Sequence, residues 1–168
     1  MAEKDKIFAS KIKYNGIFSF ADFYKFCYDW LKDETGFDPL NEEKYSEKLI
    51  GDAKNIDIEW TGSRTLTDYF NFDVKVVFKI IALTNIEITD NGQKIKTNKG
   101  SVEVSIKGTL IRDPKGNFEK SPFLKFIRAR YEKAIIPERV DEYKEKIIGD
   151  CNDFLSQAKS YLDLEGKK

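Results

Sequence analysis

The sequence predicts an α+β domain: an antiparallel sheet of about five strands that keeps one face in solvent and carries its helices on the other. Three stretches predict it. In "DYFNFDVKVVFKI", Phe70, Phe72, Val74, Val76, Phe78 and Ile80 share one side of a strand, while Asn71, Asp73, Lys75 and Lys79 share the other. In "FSFADFYKFCYDWLK" the apolar residues recur at helical spacing. From Val140 to Leu162 an apolar stripe runs along a second, much longer helix. At 168 residues the whole chain, 1–168, reads as one domain.

The elements follow in order. "KIFASKIKY" alternates, with Phe8, Ile12 and Tyr14 opposite Lys11 and Lys13, and reads as a half-buried strand ending at Asn15-Gly16. Ser19 is the expected N-cap of the aromatic helix, Asp22 its acidic first-turn residue, and Gly36 its stop. On the helical wheel Phe20, Phe23, Tyr24, Cys27, Trp30 and Leu31 form one face, which Ala21, Phe26 and Tyr28 widen to about 220°, twice the width an ordinary surface helix needs. This helix must therefore be covered on at least two sides, by the sheet and by the C-terminal helix.

"KYSEKLI" reads as a short edge strand closed by a turn at Gly51-Asp52, and "NIDIEWT" as a strand with Ile56, Ile58 and Trp60 inward. The strand from Phe70 runs through Ile86 and Ile88 to the hairpin signal Asp90-Asn91-Gly92. A two-residue turn sets Ile88 opposite Ile95 and Ile86 opposite Thr97, yet Val102, Val104, Ile106 and Leu110 are even-numbered. One residue must be absorbed, and a β-bulge is expected at Asn98-Lys99-Gly100. Ser121-Pro122 then opens a helix that Pro137 interrupts, which makes the helical arm long and bent.

Composition narrows function mainly by exclusion. The chain has no histidine, which removes the commonest general base and transition-metal ligand, so the reading leans away from an enzyme and assigns no metal or cofactor. Catalysis through Asp, Glu or Tyr is left as a third possibility. The N-terminus lacks the apolar core of a secretory signal, and nothing approaches the roughly 18 apolar residues of a transmembrane helix; a cytoplasmic location is expected. Cys27 and Cys151 read as reduced core residues. Net charge is zero, but Lys94 to Lys133 holds eleven Lys or Arg against four Asp or Glu, 11 − 4 = +7.

Two candidate sites result. The aromatic helix is expected to be mostly core, with Phe26, Tyr28 and Trp30 at the flanks of its arc, together with Trp60 and Arg130, lining a space for an apolar or amphipathic small molecule. Arg130 is singled out because it falls between Phe123 and Phe126 on the wheel and the chain uses five Arg against 24 Lys. Its expected partners are a carboxylate such as Glu59 or Asp150, or a ligand's acidic head. This element order resembles that of the helix-grip proteins, which hold lipids or other apolar ligands between a curved antiparallel sheet and a C-terminal helix; no motif accompanies the likeness. The alternative is an interaction module in which Lys94, Lys96, Lys99, Lys107, Lys120, Lys125, Arg128 and Lys133 hold an acidic protein or, less favoured, RNA or anionic lipid. "FLKFIRARYEKAII" has the pattern of a basic membrane-surface helix, but its apolar face is expected under the sheet.

Overall fold

A computed structural model describes residues 3–37, 40–67, 69–112, 122–124, 126, 127 and 137–166. In chain order these form β1 (Glu3–Phe18), α1 (Phe20–Asp33), β2 (Leu40–Ile50), β3 (Ala53–Thr65), β4 (Phe70–Asp90), β5 (Gln93–Arg112) and α2 (Pro137–Glu165). All strand pairs are antiparallel, in the spatial order β1-β5-β4-β3-β2. Strands β2 to β5 are a meander, and β1 docks on its far edge.

That topology fixes the path of α1. The chain must leave one edge of the sheet at Phe18 and re-enter at the other edge at Leu40, a span of about 19 Å for five strands. The 14 residues of α1 rise about 21 Å, so the helix crosses the inner face in one step. Ser19 caps it as expected, its Oγ accepting from the Asp22 N–H at 3.4 Å. Phe23, Cys27 and Leu31 are fully buried, and Phe23 meets Phe18, Phe78 and Tyr161 at ring distances of 5.9–6.0 Å. The helix is thus wedged between sheet and α2, which accounts for its wide apolar arc.

The inner face carries the core. Ile56, Ile58, Trp60, Phe72, Val76, Phe78, Val104, Ile106 and Leu110 are buried, whereas Lys75, Lys79 and Lys107 stand in solvent on the other side. The helix α2 rests on β5 at Gly108, where an added Cβ would fall 2.6 Å from Ile147 Cγ2 and 3.0 Å from Cys151 Sγ. Both cysteines are free and buried.

Three expectations are corrected. First, β1 does not end at Asn15-Gly16; these residues pair with Ser101 and Gly100, and the strand runs to Phe18. Second, the extra residue lies on β4. Ile88 does face Ile95 and Ile86 faces Thr97, but the register shifts between Ile81 and Thr84, where Ala82 takes φ +55°. Gly100 marks the place because a Cβ there would be 3.1 Å from the Ile81 carbonyl oxygen, and the Asn55 side chain accepts the Ala82 N–H at 2.9 Å. The shift turns Ile86, Ile88 and Ile95 onto the outer side rather than continuing the buried row. Third, Phe123, Phe126 and Ile127 lie in helical residues yet are exposed rather than under the sheet. No helix among the described residues is long and apolar enough to cross a membrane.

Candidate functional site

The aromatic candidates do not share one space. Phe26 stacks on Tyr161 at 4.6 Å and Trp30 meets Phe154 at 5.9 Å, so both face α2. Tyr28 turns to the other side of α1, donating its hydroxyl to the Leu40 carbonyl at 3.3 Å with its ring 5.5 Å from Trp60. Trp60 is fully buried in mid-strand, among Tyr24, Tyr28 and Phe78. Arg130 lies outside the described residues. Of its two expected partners, Glu59 projects from the solvated face of β3, and Asp150 pairs with Lys146 at 3.8 Å.

A residue the sequence reading missed ties the second cluster together. Glu42 Oε1 accepts the Tyr24 hydroxyl at 2.6 Å and the Trp60 indole N–H at 3.4 Å. It reaches them because β2 bulges at Glu43: Glu42 is opposite inward-facing Trp60, while the next paired residue, Lys44, is opposite outward-facing Glu59. Strict alternation through "NEEKY" gave no warning of this. Burial, with the Glu42 carboxylate second, pushes the Tyr24 phenol up to about 12, so it acts as a hydrogen-bond donor and not as a base near neutrality. Burial likewise pushes the Cys27 thiol up, and that of Cys151 to about 12, which makes both poor nucleophiles. Among the described residues no group of three or more Cys, Asp or Glu could hold a metal ion.

The basic candidates separate as well. Beyond Leu83 on β3's side and Asn98 on β1's side, residues 84–97 continue as a two-stranded arm. Lys94 and Lys96 sit on its inner side, Lys96 beside Glu87 in a cleft of about 550 Å³ at the start of α1. Lys99 and Lys107 face outward, eight residues or about 26 Å apart. Lys120, Lys125, Arg128 and Lys133 lie outside the described residues.

Lys107 acquires neighbours the chain order did not reveal. It sits directly opposite Lys75, with Lys79 two outward positions along β4. Grooves of about 360, 270 and 270 Å³ adjoin Lys107, the first also lined by Thr61, Ser63 and Thr109. Of the nearby acids, Asp73 accepts the Ser63 hydroxyl at 2.8 Å, Glu43 accepts that of Thr61 at 2.8 Å, and Glu103 pairs with Lys11 at 3.4 Å and Lys13 at 3.9 Å, while Glu59 lines one groove together with Lys75 and Lys107. Among the described residues neither Lys75 nor Lys107 forms an ion pair.

Set against protein families, curated proteins and solved structures, the chain matches none.

Proposed function

We propose that this chain is a non-catalytic binding domain that takes an acidic protein partner, or another polyanion, on the solvated face of its sheet. The observation that carries the reading is the placement of Lys75 directly opposite Lys107, with no ion-pair partner for either among the described residues. Like charges opposite one another on a sheet cost stability, and an anion lying across both removes that cost. The hydroxyl of Thr109 beside the pair supplies an uncharged donor to the same groove, while that of Thr61 is already donated to Glu43 at 2.8 Å. The interior reading, an apolar or amphipathic small molecule between sheet and helices, has less to support it, because Phe26, Tyr28, Trp30 and Trp60 are taken up by contacts with one another, α2 and β2.

Retention on immobilised poly-L-glutamate, measured at rising salt, tests the reading. The intact chain is expected to bind at about 50 mM salt and to elute as salt screens the contacts. The double variant Lys75→Glu with Lys107→Glu should lose binding at least tenfold; unchanged retention would reject this face. Preference for an RNA homopolymer over poly-glutamate would make the polyanion a nucleic acid, and an extra mass in native mass spectrometry, lost on denaturation, would return weight to the interior.

A further inference from the structure

The two edges of the sheet are treated differently. At β1 the edge is attended by α2: Lys159 Nζ donates to the Lys13 carbonyl at 3.3 Å and lies 5.8 Å from the Tyr14 ring centre, while the Tyr14 hydroxyl donates to the Ile17 carbonyl at 2.9 Å. Two backbone acceptors of that edge strand are thus taken by side chains. At β2 the strand pairs with β3 alone, and ten of its eleven residues, all but Leu40, are exposed. An exposed strand edge is a row of unpaired N–H and C=O groups that another strand can complete.

The side chains of β2 say which strand. From Lys44 onward, Lys44, Ser46 and Lys48 project to the outer face, and Tyr45, Glu47 and Leu49 to the inner one. Tyr45 and Leu49 are 44% and 77% exposed, and neither Lys44 nor Lys48 has an ion-pair partner among the described residues. Glu47 is already matched, accepting from Tyr45 at 2.7 Å and pairing with Lys54 at 3.6 Å. The edge therefore offers two cations four residues apart on one side and two apolar groups four residues apart on the other, with Ser46 and Glu47 between them.

A second copy of this chain fits poorly over Lys44 to Lys48. An antiparallel pair of β2 strands related by a two-fold axis brings residues of equal parity together. Centred on Ser46 it sets Lys44 opposite Lys48; centred on Lys44, Glu47 or Lys48 it sets that residue opposite itself; centred on Tyr45 it sets Glu43 opposite Glu47. Each of these registers opposes like charges.

We infer that the β2 edge is a docking site for an extended segment of a partner protein in which acidic and apolar residues alternate, added as a sixth strand. Its carboxylates lie against Lys44 and Lys48 and its apolar residues against Tyr45 and Leu49. The assignment rests on the domain being a binder of acidic partners, but uses a different surface from Lys75 and Lys107.

The test titrates the isotope-labelled intact chain with a synthetic peptide, Val-Glu-Val-Ser-Val-Glu-Val, capped at both ends, and follows backbone amides by NMR. Shifts concentrated in residues 44–50 with one-to-one saturation are expected. Methylating alternate backbone nitrogens of the peptide should abolish them. The exposed double variant Lys44→Glu with Lys48→Glu should bind the peptide at least tenfold more weakly and instead take the version with Lys in place of Glu. No shifts at millimolar peptide, or a dimer that occupies the β2 amides, would overturn the inference. Shifts confined to the surroundings of Lys75 and Lys107 would overturn it too, while leaving the proposed function standing; unchanged poly-glutamate retention with peptide binding intact in the Lys75→Glu, Lys107→Glu variant would do the reverse.

Discussion

Asp150 shows how a single carboxylate couples this protein's stability to pH. One of its oxygens, Oδ2, is buried without a hydrogen-bond partner, and the nearest cation, Lys146 Nζ, is 3.8 Å away. Burial raises its pKa, and the charges of Lys146 and Arg64 offset that only in part. The folded state then holds this proton more tightly than the unfolded chain. Its contribution to stability is present below the unfolded value of about 4 and is lost as pH rises through the higher folded value. Asp150→Asn, which cannot ionise, is expected to melt at a higher temperature than the parent at pH 7, with the gain shrinking as pH falls toward 4. Calorimetry at both pH values checks this; a lower melting point at pH 7 would mean that the Lys146 pair outweighs burial. At the same scale, the identity of the buried aromatics was legible from their spacing, but the role of Glu42 was not, because a bulge at Glu43 leaves no mark in residue type.

Among elements, the contact of α2 with β5 is a close one. Gly108 is where the helix comes down on the strand, and any side chain there meets Ile147 and Cys151. Gly108→Val should destabilise the protein by about 1–3 kcal/mol, the usual cost of overpacking, as read from urea unfolding. Adding Ile147→Ala should recover part of that loss by vacating the same space; no recovery would locate the strain in the strand instead. The strands and helices themselves were readable, since alternation and helical spacing each survive on one sequence. The charge pattern on the solvated side of the sheet was harder. Parity demanded one extra residue in the β4–β5 hairpin but did not say which strand held it, since a bulge on either restores the buried rows. Placing it on β5 sets Lys75 opposite Thr109; its true place at Ala82 sets Lys75 opposite Lys107. One residue's ambiguity concealed the charge pair on which the proposed function rests.

For the molecule as a whole, chain order and spatial order differ in one respect that matters. Docking β1 beside β5 leaves β2 at the far margin, with α1 spanning between them. Nothing in the residue pattern of β1 named its neighbour, so the position of the open edge emerged only with the topology. With α2 attending the β1 margin near Lys13 and β2 at the opposite margin, strand addition at β2 has a beginning but no built-in continuation. The first acidic segment to dock would turn its own carboxylates toward any follower, and like charges would repel it. The domain is in that sense a terminator rather than a template. In a mixture with excess acidic peptide, light scattering should stay flat and amyloid dyes silent over days, and steadily growing scattering would reveal a second receptive margin.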